Sequence, residues 1–212
     1  MKTKLLGVAQ VILIALLILT GAVAVPILFR PFFYWHIKPF DLPAITGLTV
    51  TEIKTAYKEM LDYCIGFSDT FSVGVLPFSE SGAAHFADVR RLFLLDLWVF
   101  AISAFLLGGS FFLKKPTRLG GHTPGFWSTI GLGVSIVTVG GLAVLDFDRA
   151  FTVFHKLFFP GKDNWLFDSY QDPVIDMLPV EFFRNAAIVI FVLILLSCIT
   201  LILWDRKCRK TI

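Results

Sequence analysis

Long apolar stretches separate shorter polar ones along this chain. Four of them are long enough to cross a bilayer core of about 30 Å, which takes roughly 20 helical residues. They are residues 5–29, 92–113, 126–145 and 186–204. The first contains no charged residue, and the second contains only Asp96. This pattern predicts an all-α integral membrane protein, a single membrane domain over residues 1–212 with four transmembrane helices.

The composition agrees with the pattern. Hydrophobic residues make up 56% of the 212 residues and charged residues 17%, whereas ordinary soluble domains have about 45–50% and about 25%. These values exclude a disordered chain, a nucleic-acid-binding domain and almost any soluble enzyme of this length. Only three cysteines are present, which excludes a disulfide-rich scaffold.

The first apolar stretch has two possible interpretations. Lys2 and Lys4 before it, and Ala22-Val23-Ala24 near its end, are similar to the start and the cleavage site of a secretory signal peptide. The stretch is far longer than the apolar run of about 7–15 residues that is usual in such a signal. It therefore predicts a retained membrane anchor.

Basic residues are distributed unevenly among the connecting segments. Residues 1–4, 114–125 and 205–212 contain nine Lys and Arg against one acid, whereas residues 30–91 and 146–185 contain ten against fourteen acids. Because cytoplasmic segments are enriched in Lys and Arg, both termini are predicted to be cytoplasmic and the two long loops extracytoplasmic. Cys64, Cys198 and Cys208 then fall in different compartments, so no intramolecular disulfide is expected.

The first long loop contains a short amphipathic pattern. Apolar residues recur at helical spacing over residues 53–64, and Lys54, Lys58, Glu59 and Asp62 lie between them. The pattern predicts a short interfacial helix. Its apolar face either lies on the outer membrane surface or packs onto the helical bundle.

Two histidines in the long loops are the candidates for chemistry. His85 shares a helix face with Asp88, on a segment that continues as one helix into the second apolar stretch. His155 shares a face with Asp148 and Phe151 on a second helical segment. Both histidines are predicted on one side of the membrane near its surface, which favours a shared site. The alternative is two separately packed histidines.

Three other polar residues have structural interpretations. His36 follows the first apolar stretch within an aromatic cluster, which is typical of a structural or interfacial residue. His122 lies among Gly, Thr and Pro and is predicted to be a solvated loop residue. Asp96 lies inside an apolar stretch, where an acid is costly, and it indicates either a functional group or a partner on a neighbouring helix.

The sequence lacks the motifs of several other enzyme classes. It contains no G-x-S-x-G, H-E-x-x-H, Walker A or G-x-G-x-x-G pattern. A metal site formed by His85, Asp88 and His155 has weak support, because their spacing is typical of no particular metal. Cys64 is a weak candidate nucleophile, since it lies on an apolar face and has no histidine near it in sequence.

Several stretches resemble a known family. They are HFADVR (85–90), FDRAFTVFHKLFFP (147–160), NWLF (164–167) and LPVEFF (178–183), and they look like the lipoprotein intramolecular transacylase (Lit) of Gram-positive bacteria. The length, the four stretches and the two long loops also fit, so the resemblance covers essentially the whole chain. It implies a multi-pass acyltransferase of the bacterial cell membrane, without metal or cofactor and with an extracytoplasmic active site.

The resemblance also implies a reaction. The substrate would be a lipoprotein in the phospholipid membrane whose N-terminal cysteine carries a diacylglyceryl group. The sn-2 acyl chain would move to the α-amino group of that cysteine, which gives a lyso-form lipoprotein. His85 and His155 match the two outward-facing histidines of the family, and both are expected to be catalytic, with His85 as general base or with the two roles exchanged.

The chemistry of this reaction is compatible with the residues present. A histidine has a suitable pKa to take a proton from an amine, and holding amine and ester in one molecule gives effective molarities of about 10⁵–10⁸ M. The candidates for orienting the histidines or binding an oxyanion are Asp88, Arg90, Asp148 and Asn164. The candidates for lining acyl chains are Phe151, Phe154, Phe158 and Trp165, for which ordinary interfacial packing is the alternative.

Two further functions stay open at this point. One is a lipid ester hydrolase or a metal-dependent membrane enzyme. The other is a non-catalytic membrane accessory protein whose long loops bind a partner. Release of free fatty acid would indicate the hydrolase, and tolerance of replacing both histidines would indicate the accessory protein.

Overall fold

The computed structural model describes residues 2–111 and 117–210. Phe112 and Leu113, at the end of the second predicted span, lie outside the described residues, as do Lys114 and Lys115 and the terminal residues 1, 211 and 212. The described α-helices are α1 (Lys2–Leu28), α2 (Pro31–Ile37), α3 (Leu42–Thr46), α4 (Val50–Cys64), α5 (Glu80–Phe111), α6 (Pro124–Ser135), α7 (Gly141–Leu145), α8 (Phe147–Phe158) and α9 (Val180–Lys210). A π-helical segment (Ile136–Gly140) joins α6 to α7, and a 3₁₀ helix (Pro173–Met177) precedes α9. Strand pairing in the described part amounts to one isolated bridge between Leu119 and His122.

Among the described residues, three helices are long and apolar enough to cross a membrane: Lys4–Leu28, Glu80–Ser110 and Val180–Lys210. They correspond to the first, second and fourth predicted spans. The third predicted span is divided among α6, the π-helical segment and α7, and its apolar helix Pro124–Gly140 is shorter than the other three. The all-helical fold is confirmed for the described residues, and the count of four spans stays a prediction.

Contacts divide the chain into two compact units. The first unit comprises residues 1–24, 96–145 and 188–212. Its core brings together Ala22, Leu132, Ile194 and Cys198 from three helices. Helices approach closely at small residues: Ser128 donates its hydroxyl to the Val11 carbonyl at 2.8 Å. Small residues at such positions are typical of helix packing in membranes.

His122 belongs to a polar cluster in the first unit. Its Nδ1 lies 2.8 Å from Oδ2 of Asp205, and its ring stacks on Phe126 at 4.0 Å. Asp205 is buried and also accepts the backbone N–H of Thr123 at 2.7 Å. The prediction that His122 is a solvated loop residue was therefore wrong, because its imidazole binds the carboxylate of Asp205 on α9. Asp96 has a different environment: its Oδ2 is buried and has no hydrogen-bond partner among the described residues.

The second unit comprises residues 25–95 and 146–187. Within it, α4 starts with a capping box, in which Thr49 donates its N–H to Glu52 at 2.8 Å and Glu52 donates its N–H to the Thr49 hydroxyl at 3.3 Å. The apolar face of α4 is buried, and Tyr57 stacks on Phe33 at 3.8 Å. The predicted helix is confirmed. Its apolar face is covered by protein of the same unit, and this explains its amphipathic spacing without a membrane surface.

Candidate active site

His85 lies in the second turn of α5, in the second unit. Only 5% of the residue is exposed, and its ring contacts the rings of Phe159 at 5.0 Å and Phe167 at 5.3 Å. Its Nδ1 is buried and has no hydrogen-bond partner in the described part of the chain. A buried imidazole nitrogen without a partner is costly unless a ligand completes it.

His155 lies in the last turns of α8, whose N-terminus is capped by Asp146 accepting the backbone N–H of Arg149 at 2.9 Å. The residue is 8% exposed, and its ring packs against Phe151 at 4.2 Å and Trp165 at 4.8 Å. Its Nδ1 lies 2.8 Å from the Phe151 carbonyl oxygen. A carbonyl can only accept, so Nδ1 carries the proton and Nε2 presents a lone pair.

Burial also sets the charge of His155. It lowers the pKa of the imidazole, because the charged form is poorly solvated in the site, and the hydrogen bond to Phe151 opposes this only in part. The ring is therefore neutral near pH 7. A neutral imidazole with a free Nε2 is equipped to accept a proton.

The two histidines are brought together. Their ring centroids are 5.9 Å apart and their planes differ by 28°. This distance lies below the roughly 8–10 Å beyond which proton transfer through direct contact or one water fails. One small substrate group can thus contact both rings.

Asp88 lies one turn beyond His85 on α5 and is buried. Its carboxylate pairs with Lys162 at 2.5 Å and with Arg91 at 3.1 Å, and no hydrogen bond joins it to His85. Asp88 therefore links α5 to the segment after α8, and its role in orienting the histidines stays a prediction. Sequence reasoning missed Lys162, which carries no motif and whose only signal is its place just before Asn164.

Asn164 lies beside both His85 and Asp88. Its Oδ1 is buried and lacks a hydrogen-bond partner among the described residues. The cluster therefore contains two buried polar atoms without partners, this oxygen and His85 Nδ1. The side chain of Asn164 also interacts with His85 and Asp88, so Oδ1 is the atom of its amide that lacks a partner.

Two of the predicted supporting residues make no contact with the two histidines among the described interactions. Arg90 donates to the Ser68 carbonyl and to Asp69 at 2.9 Å, and its guanidinium lies over the Tyr63 ring. It is occupied by the segment after α4, so the prediction that it donates to an oxyanion is not supported. Asp148 is exposed in the first turn of α8, two turns from His155, and the described residues give it no partner.

The aromatic candidates fall into two groups. Phe151 and Trp165 contact the His155 ring and are half-buried. Phe154 and Phe158 pack on each other at 4.6 Å and are exposed, although the edge of Phe154 also contacts the His155 ring at 5.4 Å. The first pair therefore forms a wall of the site, and the second pair belongs to an apolar surface.

Comparison with known proteins identifies the family. The model of the family described as lipoprotein intramolecular transacylase Lit matches residues 8–183. The chain belongs to the Lit family. It is similar to the membrane-integral Lit of Bacillus cereus, with 27% identity, a TM-score of 0.88, and coverage of 100% of this chain and 99% of that one.

Two further structures of the Bacillus cereus Lit are also similar. One carries an H85R mutation (27% identity, TM-score 0.81, 99% and 93% of the two chains covered), and the other carries H85A (26%, 0.80, 100% and 96%). No curated protein sequence matches the chain. As a member of the Lit family, this protein is a membrane acyltransferase of lipoprotein maturation.

Proposed function

We propose that this protein transfers the sn-2 acyl chain of a diacylglyceryl-modified lipoprotein to the α-amino group of its N-terminal cysteine. The observation that carries the proposal is the pair of buried histidines 5.9 Å apart, beside Asn164, whose Oδ1 has no hydrogen-bond partner among the described residues. The transfer needs no nucleophilic side chain from the enzyme, because the substrate's own amine is the nucleophile. Amine and ester belong to one molecule, and orientation in the site replaces a bimolecular encounter.

The proton balance gives a reason for two histidines. An α-ammonium carries three protons and the product amide carries one, so two protons must leave the nitrogen. One ends on the glyceryl oxygen as its C–O bond breaks, and the other ends in solvent. The α-amino pKa is near 8, so much of the amine is protonated at neutral pH and must lose a proton before it attacks.

We assign the first proton to His155. Its Nε2 is free to accept because Nδ1 donates to Phe151. Once the nitrogen has attacked the ester carbonyl, amine and leaving oxygen are bound to the same carbon, so the same imidazolium can donate to the glyceryl oxygen. His85 takes the second proton at its unpartnered nitrogen, and Asn164 binds the oxyanion. The hydrogen bond to Phe151 thus favours the exchanged roles, with His155 as the first base.

Water must be kept from the ester, since hydrolysis would compete with transfer. Phe151, Trp165 and the buried Phe159 enclose the His155 ring and provide an apolar wall. The opposite face of α8 exposes Val153, Phe154, Leu157 and Phe158. We propose that this face lies in the outer surface of the membrane, where it meets the acyl chains.

We further propose four spans, cytoplasmic termini and an extracytoplasmic site, on the distribution of basic residues. Single cysteines at Arg118, Asp163 and Arg206, in a variant without native cysteines, test this topology in intact cells. An impermeant maleimide should label only the cysteine at position 163. Labelling at position 118 or 206 would contradict the topology.

The reaction is tested with a synthetic diacylglyceryl lipopeptide whose sn-2 chain is deuterated. Because the transfer is an isomerisation, the intact mass does not change. Tandem mass spectrometry must therefore show that the label stays on the peptide as an amide after the S-linked glyceryl group has been removed by fragmentation. Mixing it with an unlabelled lipopeptide of different sequence tests whether the transfer is intramolecular. Released deuterated fatty acid would indicate a hydrolase, and an unchanged lipopeptide would contradict the proposal.

A further inference from the structure

The segment from Lys162 to Asp172, here called the strap, is attached to α5 at both of its ends. At one end Lys162 binds Asp88, and at the other Asp172 binds Ser79. Between these ends Trp165 packs on His155 at 4.8 Å and Phe167 on His85 at 5.3 Å, and Asn164 lies beside His85. The strap therefore carries Asn164 and Trp165, two of the groups that we place in the reaction.

The attachment at Asp172 is the more enclosed of the two. Asp172 is 4% exposed, whereas the Lys162 side chain is 46% exposed. Both oxygens of Asp172 are used: Oδ1 accepts the N–H of Ser79 at 2.7 Å, and Oδ2 accepts its hydroxyl at 2.7 Å. The Ser79 oxygen in turn accepts the N–H of Gly82 at 2.9 Å. Buried charge-assisted bonds of this kind hold geometry more firmly than a half-exposed ion pair.

Gly82 is required for this attachment. A Cβ at position 82 would lie 2.2 Å from Oδ1 of Asp172 and 2.7 Å from its Cγ, distances that real side chains do not adopt. Position 82 is three residues before His85, so both lie on the same face of α5. The carboxylate of Asp172 thus presses on the helix one turn from the catalytic imidazole.

We propose that Asp172 is a positioning residue for acyl transfer. It acts through Ser79, directly before α5, and Gly82, in the first turn of α5, on the helix that carries His85 one turn further on, and through the strap on Asn164 and Trp165. The proposal rests on the roles given above to His85 and Asn164. A displacement of about 1 Å in such a site costs on the order of 100-fold in rate.

The test compares Asp172→Ala, Asp172→Asn and the matched Asp163→Ala in purified, monodisperse protein with the deuterated lipopeptide. Asp163 is an exposed strap carboxylate whose side chain has no partner in the described chain. We expect Asp172→Ala to lower kcat about 30- to 100-fold with KM within threefold. Asp172→Asn keeps an acceptor for the Ser79 N–H and should recover kcat to within about tenfold of wild type, while Asp163→Ala stays within about twofold.

A double-mutant cycle separates positioning from a general loss of folding. Gly82→Ala alone should lower kcat, because the added methyl meets the carboxylate. In the Asp172→Ala background the same change has room and should cost little more, so the two effects are strongly non-additive. If Gly82→Ala yields no monodisperse protein, the proposal is tested by the comparison of Asp172→Ala, Asp172→Asn and Asp163→Ala without the double-mutant cycle.

Three outcomes overturn the proposal: wild-type kcat in Asp172→Ala, equal losses in Asp172→Ala and Asp163→Ala, or a loss confined to the yield of folded protein. A wild-type protein that fails to transfer the label would instead refute the proposed function. The two failures are therefore distinguishable in one set of measurements.

Discussion

Replacement of His155 by Phe separates its proton chemistry from its packing. The ring contacts with Phe151 at 4.2 Å, Trp165 at 4.8 Å and Phe159 at 5.7 Å can be kept by a phenyl ring. The variant loses only the hydrogen bond from Nδ1 to the Phe151 carbonyl and the free Nε2. That carbonyl lies within α8 and can still accept the backbone N–H of residue 155, so no buried acceptor is left unsatisfied.

The expected magnitudes of the two effects differ widely. Loss of a neutral hydrogen bond costs about 0.5–1.5 kcal/mol of stability, part of which the added apolar ring offsets. Loss of a general acid–base group costs about 10²–10⁴ in rate, equivalent to about 3–5 kcal/mol of transition-state stabilisation. We therefore expect His155→Phe to fold nearly as well as wild type and to transfer the acyl chain at most one-hundredth as fast.

The assay is the single-turnover rate at which deuterium appears on the peptide as an N-acyl amide, in fragments that have lost the S-linked glyceryl group, per amount of monodisperse protein. His122→Asn serves as the control, because His122 belongs to the first unit and Asn keeps a donor for Asp205. It should change the rate less than about threefold. A His155→Phe protein that retains a third or more of the wild-type rate would refute the assignment of His155 as a base.

The remaining predictions concern charge, pH, burial and metal. Lys162→Met should lower the rate about two- to fivefold, as expected for a half-exposed ion pair, and the exposed Lys156→Met is its control. Burial lowers the pKa of His155, so on acidification from about pH 7 to 5 the unfolded chain binds more protons than the folded one. The free energy of unfolding should therefore fall over this range. Denaturant titrations should show a smaller fall for His155→Phe than for the wild type. Cys64→Ala should cost about 1–2 kcal/mol of stability and leave the rate unchanged, since the thiol is fully buried and its burial raises the pKa of Cys64 to about 12; a large loss of rate would revive it as nucleophile. Chelation with EDTA should leave the rate unchanged, and a loss restored by a divalent cation would contradict the metal-free mechanism.

Patterns that depend on local spacing were predicted well from the sequence. The helix at residues 50–64 was predicted from the recurrence of apolar residues over 53–64, and the structure adds the capping pair Thr49 and Glu52. The helix bearing His155 follows from its apolar spacing, and Asp146 caps it. Such signals are local, because a helix face is set by residues three and four positions apart.

The contacts of single polar side chains were predicted poorly. Arg90 was predicted as a supporting residue and is bound by Asp69, whereas Lys162, which was not predicted, binds Asp88 beside His85. His122 was expected in solvent and is held by Asp205, 83 positions away. No sequence pattern pointed to Asp172, because the sequence around a loop carboxylate does not show whether the side chain is solvated or buried against a helix end.

The sequence by itself determined the helical membrane class, most helix positions and the two histidines as candidates. These depend on hydrophobic periodicity and on a resemblance spread over the whole chain. Only the tertiary structure decided that the histidine rings lie 5.9 Å apart, that Lys162 and Asp172 attach the strap to α5, and that Arg90 is occupied elsewhere. The physical reason is the short range of side-chain interactions. A side chain responds to the groups within a few ångströms, and those groups can come from segments far away in sequence, such as Ser79 and Asp172, which are 93 positions apart.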